Sequence, residues 1–353
     1  MAILLLILFL AANVMADTDT RTAKIDAFFK EFDHPDTPGA AVLVIQNGKV
    51  LYEKGYGLAD LNQKIPCNAN TNFRLASLTK QFTAMSILML LEKQKLSLED
   101  PITRFLPEFP EYGKAITIAQ LLSHRSGLID YEDLIPEGTT IPLSDRNVLY
   151  LLCKQTKTYF TPGSQFRYSN GGYALLSLIV QAVSGNTFAE FLKQNIFLPL
   201  QMNNTLAYEA GTSVIPNRAF GYAKENEAFV PSDQSLTSSV LGDGGIYSSL
   251  QDLYKWDQAL YTEKLISKHL LQRAFSVVSP TSDMTGSGYG FGWYVSKYRG
   301  TDLVWHYGST CGFTTHIDRF IQHNFTVIIL TNRRDADISD FSQKIADLFL
   351  TKE

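Results

Sequence analysis

The sequence is poor in cysteine, and its basic residues form no cluster. Only three cysteines, Cys67, Cys153 and Cys311, occur in 353 residues. The fold therefore does not depend on a disulfide framework, although the sequence leaves one bridge among the three open. Lys plus Arg number 31 against 35 Asp plus Glu, for a formal net charge of −4. These features exclude a disulfide-stapled scaffold and argue against nucleic acid as a partner.

Beyond the first 16 residues, no segment is long and apolar enough to cross a membrane. Residues 3–12 are uncharged and apolar, Val14 and Ala16 offer small side chains at the −3 and −1 positions of a cleavage site, and the first charged residue is Asp17. This pattern predicts a signal peptide over 1–16 and export to the periplasm or the medium. Because the leader has no Lys or Arg, an uncleaved membrane anchor is the alternative. We expect no other contact with a membrane.

Two common hydrolase signatures are absent from the chain. It contains no Gly-x-Ser-x-Gly elbow, which argues against an α/β-hydrolase, and no His-Glu-x-x-His zinc motif. The six histidines lack the spacing of metal ligands: His34, His124, His269, His306, His316 and His323. We therefore expect neither a metal nor another cofactor.

The hydrophobic pattern places strands at both ends of the chain and helices in the middle. Two strand-like runs, 40–46 and 50–56, flank Asn47-Gly48, a strong signal for a hairpin with a type I′ turn. Further strands are predicted at 289–296, 302–306, 313–320 and 325–331, and terminal helices at 20–32 and 337–351. The middle predicts helices at 77–95, 116–122, 171–183 and 188–197.

This order of elements predicts an α+β fold. An antiparallel sheet from the N- and C-terminal segments is flanked by the terminal helices, and a mainly helical lobe is inserted between them. We expect one domain over 17–353, with an α/β lobe at about 20–75 and 240–353 and a helical lobe at about 76–239. A site would then form in the crevice between the two lobes.

Ser77 precedes Lys80 by three residues at the start of the predicted helix 77–95. Residues three apart lie on one helix face, so the hydroxyl and the amine can meet where backbone N–H groups are unpaired. A desolvated lysine can deprotonate such a serine, and a nearby donor can stabilise the oxyanion. The alternative is an ordinary helix start with a solvated serine and lysine.

Two further motifs carry groups suited to proton transfer and substrate binding. Tyr168-Ser169-Asn170 lies between a Pro-Gly turn and an apolar helix, where a phenol with a lowered pKa can accept a proton. The alternative is a packed turn tyrosine with Asn170 as a helix cap. His306 and Gly308 follow a strand-like run, and a glycine there allows close backbone approach. The alternative for His306 is a strand histidine with a satisfied hydrogen bond.

Taken together, these motifs resemble those of the serine β-lactamase and penicillin-binding-protein superfamily, in particular the class C β-lactamase-related serine hydrolases. The family pattern is Ser-x-x-Lys, then Tyr-x-Asn, then Lys or His-x-Gly. The resemblance extends over about residues 20–350 and includes further segments: 121–128, 162–173, 199–205, 244–253 and 330–332.

The resemblance implies a role for each matching residue. Ser77 would be the acylated nucleophile and Lys80 its base or proton relay. Tyr168 would shuttle a proton to the leaving group, and Asn170 would orient Lys80 and the substrate. The backbone N–H groups of Ser77 and Ser309 would form the oxyanion hole.

One departure from the family pattern bears on the substrate. His306-Tyr307-Gly308 stands where lactamases usually have Lys-Thr-Gly, so the positive field for a substrate carboxylate is weakened. His-x-Gly resembles the esterase and D-aminopeptidase-like branches. We therefore expect an exported serine hydrolase that cleaves small esters or D-amino-acid amide or peptide bonds. A β-lactamase or D-alanyl-D-alanine carboxypeptidase is one alternative, and a non-catalytic or slowly acylated sensor or scaffold is another. The oligomeric state stays open.

Overall fold

The computed structural model describes residues 20–281 and 287–350. The predicted signal peptide over 1–16 lies outside these residues. The described chain is an α+β protein, as the pattern of elements predicts. Its strands, in chain order, are β1 Ala40–Gln46, β2 Lys49–Tyr56, β3 Leu58–Asp60, β4 Ile65–Pro66, β5 Phe73–Arg74, β6 Leu206–Ala207, β7 Tyr222–Glu225, β8 Ala228–Pro231, β9 Ile246–Ser248, β10 Ser279–Pro280, β11 Gly288–Tyr289, β12 Tyr294–Tyr298, β13 Thr301–Thr310, β14 Phe313–Phe320 and β15 Phe325–Thr331.

The main sheet joins the two ends of the chain. Its eight strands follow the order β10-β11-β12-β13-β14-β15-β1-β2, and every neighbouring pair is antiparallel. The β1–β2 hairpin turns at Asn47 and Gly48, whose φ angles of 50° and 74° are both in the left-handed region. A type I′ turn requires this geometry, so the Asn-Gly prediction is confirmed.

Strand β1, which lies between β15 and the edge strand β2, is buried on both faces. Ala41, Leu43 and Ile45 belong to the larger apolar core, whereas Val42 and Val44 pack on the other face with the first helix, α1 (20–28), and the last helix, α10 (Ser339–Phe349). Alternate side chains of a strand point to opposite faces, so a continuous apolar run fits a strand covered on both sides. The terminal helices thus flank the sheet.

The remaining helices lie between the hairpin and the C-terminal strands: α2 Thr79–Glu92, α3 Ile118–Leu122, α4 Asp145–Cys153, α5 Asn170–Ser184, α6 Phe188–Leu192, α7 Leu241–Gly244, α8 Leu250–Ala259 and α9 Lys268–Ala274. A π-helical turn, Lys193–Phe197, continues α6. Among the described residues, no single helix has the length and apolarity to cross a membrane. The bent pair Asn170–Ser184 and Phe188–Phe197, with an angle of 76°, meets that test only in combination.

Several predicted boundaries were wrong. The helix predicted at 77–95 begins at Thr79 and ends at Glu92, and Ser77 lies in a preceding 3₁₀ turn, Ala76–Leu78. The strand predicted at 289–296 is two strands, β11 and β12, because the chain turns at Gly292 with φ of 80°. The stretch predicted as helical also carries strands β6, β7 and β8. The assignment of two lobes stays a prediction.

Candidate active site

Ser77 is presented by a tight turn that precedes the buried helix α2. Ala76, the residue before it, has φ of 49°, a left-handed conformation that costs an L-residue about 1–2 kcal/mol. The turn is fixed from the sheet side, where the Thr315 hydroxyl donates to the Leu75 carbonyl oxygen at 2.8 Å. This backbone path leaves Ser77 partly exposed while its neighbours Ala76 and Leu78 are buried. The hydroxyl therefore faces a cleft instead of the core.

Lys80 is fully buried and in contact with Ser77. Its Nζ lies 3.1 Å from Ser77 Oγ, 2.8 Å from Asn170 Oδ1 and 2.9 Å from the backbone oxygen of Asp243. Burial lowers the pKa of Lys80 to about 8, although the carboxylates of Asp243 and Glu132 oppose that shift. A buried ammonium is costly, so the amine loses its proton more easily than in water.

The partners of Lys80 determine where its lone pair points when it is neutral. Asn170 Nδ2 donates to Glu132 Oε1 at 2.8 Å, so the amide must turn its oxygen toward Lys80. A neutral amine has two N–H donors, and Asn170 Oδ1 and the Asp243 carbonyl oxygen can only accept. Both donors are therefore used, and the lone pair faces the Ser77 hydroxyl. This arrangement suits the removal of a proton from Ser77.

Asp243 adds a second titratable group beside Lys80. Its side chain is buried and accepts a hydrogen bond from the Tyr131 hydroxyl at 3.1 Å. Burial raises the pKa of Asp243 to about 7, against the attraction of Lys80. The short helix α7 that carries Asp243 is held by Asp145, whose carboxylate accepts from the backbone N–H groups of Leu241 and Gly242, both at 2.9 Å.

Tyr168 lies against the Ser77–Lys80 pair. Lys80 Nζ is 4.9 Å from the centroid of its ring. Burial raises the pKa of Tyr168 well above its ordinary value, and a hydrogen bond with Ser77 only partly offsets this. The expectation of a phenol with a lowered pKa is therefore wrong, because the tyrosine packs among rings. His124 stacks on it at 4.3 Å and accepts from the Ser169 N–H at 3.1 Å.

His306 is completely buried and does not face the cleft. Its Nδ1 lies 2.7 Å from the Tyr307 carbonyl oxygen, which can only accept, so Nδ1 carries the proton and Nε2 accepts from the Tyr289 hydroxyl at 2.9 Å. Burial lowers the pKa of His306 to about 3, and the charge on Lys80 acts in the same direction. This side chain is a neutral packing partner behind Tyr168.

Gly308 brings strand β13 against the nucleophile. A Cβ at this position would lie 2.4 Å from the Leu75 oxygen and 2.9 Å from the Ser77 nitrogen. The cleft beside it is a cavity of about 60 Å³, lined by residues from five separate segments: Arg74, Ala76, Ser77, Tyr131, Glu132, Asn170, Thr237, Asp243, Gly244, Ser309 and Thr310. The structure thus brings together all the predicted site residues, with His306 behind the cleft and not in its wall.

Sequence comparisons identify the family of the chain. The Beta-lactamase family matches its residues 25–349. The chain belongs to the beta-lactamase family. It is 38% identical to penicillin-binding protein 4* of Bacillus subtilis (strain 168) over 83% of this chain and 68% of that protein. It is 28% identical to protein Flp of Staphylococcus aureus (strain MRSA252) over 84% of this chain, which spans only 59% of Flp.

Solved structures share the fold of this beta-lactamase family member. An octameric penicillin-binding protein homologue from Pyrococcus abyssi has a TM-score of 0.82 at 27% identity, over 92% of this chain and 76% of its own. D-amino acid amidase from Ochrobactrum anthropi SV3, complexed with L-phenylalanine amide, has a TM-score of 0.79 at 23% identity. The match covers 94% of this chain and 97% of the amidase. The predicted membership of the serine β-lactamase-related superfamily is confirmed.

Three contributors to the beta-lactamase-type site were missed or left undecided by the sequence. Tyr131 and Glu132 lie in a short 3₁₀ helix, Tyr131–Leu134, which is too short to be predicted from periodicity. Asp243 precedes Gly244-Gly245, and this pattern fits a residue that caps a turn as well as one that faces a cleft. Among the described residues, no group of three His, Cys, Asp or Glu could hold a metal ion, and the three thiols are free.

Proposed function

We propose that this protein is an exported serine hydrolase that forms an acyl-enzyme on Ser77 and cleaves esters and D-amino-acid amide or peptide bonds. One observation carries the proposal. A fully buried Lys80 with a pKa of about 8 has both of its neutral-state donors occupied and directs its lone pair at Ser77 Oγ, 3.1 Å away. This is the geometry of an activated nucleophile.

The residues support a balanced acyl transfer. Ser77 Oγ bonds to the carbonyl carbon while its proton passes to Lys80 Nζ. The bond to the leaving group then breaks, and the neutral Tyr168 hydroxyl gives its proton to the departing oxygen or nitrogen. Lys80 returns a proton to Tyr168, and water attacks the acyl carbon through the same steps in reverse. A phenol kept protonated by burial suits the role of proton donor.

The oxyanion would be held by the backbone N–H groups of Ser77 and Ser309. Close packing of Gly308 on the Ser77 segment keeps strand β13 near the nucleophile. Each such donor contributes roughly 2.7–4 kcal/mol in the transition state. Because these donors belong to the backbone, their spacing depends on the contact between the turn and the strand.

The charges around the cleft favour an amine over a carboxylate in the substrate. Glu132 and Asp243 line the cavity next to Ser77, whereas His306 is buried and neutral. The guanidinium of Arg74 also lines this cavity, but it already donates to Gln234 and to the Ser238 carbonyl oxygen. A free α-ammonium on the acyl group would meet carboxylate acceptors there, as in an amino-acid ester or amide. The carboxylate of a β-lactam or a D-alanyl peptide would find no lysine at position 306. The D configuration rests on the resemblance of His-x-Gly to the D-aminopeptidase-like branch.

Export is proposed from the leader over 1–16. Fusing residues 1–30 to a reporter that is active only outside the cytoplasm tests it. We expect an active reporter and cleavage after Ala16. An inactive, cytoplasmic fusion would remove export from the proposal, and a membrane-bound, uncleaved fusion would establish an anchor instead.

The enzymatic part is tested by intact-mass detection of acyl adducts. The panel contains aryl esters, D- and L-amino-acid amides and β-lactams, with Ser77→Ala as the inactive variant and the exposed Ser339→Ala as the matched control. We expect transient adducts and turnover with esters and amino-acid amides in the wild type and in Ser339→Ala only. A long-lived adduct would indicate a sensor, and fast cephalosporin hydrolysis with little ester turnover would indicate a lactamase. Folded protein without any adduct would exclude a hydrolase.

A further inference from the structure

The edge of strand β13 is open next to the catalytic residues. β13 pairs with β14 up to Thr310, but its pairing with β12 stops at Trp305, opposite Tyr294. In the described part of the sheet, the segment from Tyr307 to Thr310 therefore has a strand neighbour on one side only. The same segment carries Ser309, which lines the cavity next to Ser77. A substrate bound at Ser77 would extend along this edge.

A groove of about 210 Å³ adjoins that edge, and aromatic rings form much of its wall. Tyr294 and Trp305 stack at 4.6 Å, and Tyr307 lies nearly parallel to both at 6.3 Å. Phe166 closes the groove from the loop before α5. The Trp305 indole N–H is already bonded to Ser296 Oγ at 3.0 Å, so this tryptophan offers its ring face to a ligand. The hydroxyl residues Thr281 and Ser287 also belong to the described wall.

The described lining of the groove is uncharged, in contrast to that of the cavity next to Ser77. It includes no acidic or basic side chain, and the neighbouring His306 is neutral and buried. Tyr307 keeps 48% of its side chain exposed, which is unusual for a residue in a packed aromatic stack. Exposed, stacked rings bind flat apolar groups well.

The position of Tyr168 decides which part of the substrate reaches this groove. Phe166 precedes Tyr168 by two residues in the same loop, and Tyr168 is in ring contact with His306, which packs against Tyr294. Under the proposed function, Tyr168 gives its proton to the leaving group, so that group departs on the Tyr168 side. Glu132 and Asp243 line the separate cavity next to Ser77, where the acyl group would lie.

We propose that this aromatic groove, formed by Phe166, Tyr294, Trp305 and Tyr307, is the leaving-group subsite, and that it selects uncharged aromatic alcohols or amines. The inference rests on the proposed function. In the reaction, the Ser77 Oγ–carbon bond forms and the carbon–oxygen or carbon–nitrogen bond to the aromatic group breaks, with the proton from Tyr168 ending on that group. A leaving group with a carboxylate would meet no cation in the groove and is disfavoured.

The test compares esters of one acid with three alcohols: methanol, 2-naphthylmethanol and glycolate. Methanol and 2-naphthylmethanol are alcohols of similar acidity, so intrinsic reactivity does not create the preference. For the wild type, kcat/KM should be roughly tenfold or more higher for the naphthylmethyl ester than for the methyl ester, because stacking adds binding energy. The glycolate ester should be no better than the methyl ester.

The decisive variant is Tyr307→Ser, and the matched control is Tyr150→Ser. Tyr150 is 60% exposed on α4, outside the site. Tyr307→Ser should reduce the naphthylmethyl-to-methyl ratio to below about threefold, whereas Tyr150→Ser should leave it unchanged. Both esters are measured on the same preparation, so a smaller fraction of folded protein lowers both rates equally and leaves their ratio unchanged. A wild-type ratio near one, or an unchanged ratio in Tyr307→Ser, would overturn this inference but not the proposed function. No turnover of any ester and no adduct on Ser77 would instead overturn the proposed function.

Discussion

Replacing Gly308 with alanine tests whether the contact between β13 and the nucleophile turn sets the activity. The new Cβ would lie 2.4 Å from the Leu75 oxygen, about 1 Å closer than an ordinary contact of 3.4 Å, and 2.5 Å from Thr315 Oγ1. Leu75 and Thr315 are themselves hydrogen-bonded, so neither can give way alone. The strand and the turn must therefore separate by several tenths of an ångström up to about 1 Å.

Such a separation moves the Ser309 N–H away from the oxyanion. A misplacement of about 1 Å can cost roughly 10²-fold in rate, or about 2.7 kcal/mol in the transition state. We expect Gly308→Ala to lower kcat for an aryl ester by about this factor and to slow the labelling of Ser77 by a fluorophosphonate. Thermal unfolding and circular dichroism establish that the variant is folded.

The control for this experiment is Gly172→Ala on α5. A Cβ at Gly172 would lie 3.7 Å from its nearest neighbours, which is ordinary van der Waals contact. In a helix, alanine is favoured over glycine by up to about 1 kcal/mol, so this variant should keep its activity and be slightly more stable. A folded Gly308→Ala enzyme with the wild-type rate would refute the assignment of the oxyanion hole to these two backbone segments.

Three further predictions concern titration and the hydrogen bonds of the site. Because the neutral form of Lys80 is the base, kcat/KM should rise with pH through about 8. Glu132→Gln removes a carboxylate that raises the pKa of Lys80, so it should move this rising limb of the pH profile to lower pH. A limb that does not move contradicts this coupling. Asn170→Ala should lower kcat roughly 10- to 100-fold through the loss of a hydrogen bond to a charged group. Stopped-flow measurement of the acylation rate checks this, and an unchanged rate would contradict it. His306→Phe should lower the free energy of unfolding in urea by about 1–3 kcal/mol, since it removes the Nε2 acceptor of the Tyr289 hydroxyl. The pH profile of kcat/KM should be the same near pH 6.5 in this variant and in the wild type, because His306 is already neutral there; a limb that the variant loses would contradict this.

Local sequence signals were enough to predict much of the fold and the centre of the site. Asn47-Gly48 fixed a hairpin because few other pairs adopt two positive φ angles, and the spacing of Ser77 and Lys80 was enough to put both on one side of a helical turn. Asn170 was found through its motif, and the structure adds the reason for its orientation, the hydrogen bond to Glu132. These features depend on residues that are near in sequence or that belong to a recognisable pattern.

Other features depend on contacts between distant segments and could not be read from the sequence. The burial of His306 is produced by rings from β11, β12 and the loop before α5, so its pKa follows from the packing and not from its own strand. Asp243 faces Lys80 because Asp145, 97 residues from Gly242, holds α7. The raised pKa of Tyr168 has the same origin, since its neighbours come from three separate parts of the chain.

The environment of Lys80 has a consequence for the protein before it is folded. Two of the three acceptors around its amine come from residues 90 and 163 positions further along the chain. During synthesis the segments that bury the amine are not yet assembled, so its pKa is the ordinary 10.5. The lysine then stays charged and cannot accept the proton of Ser77. The base of the proposed reaction therefore forms only when α5 and α7 have docked on the Ser77 turn.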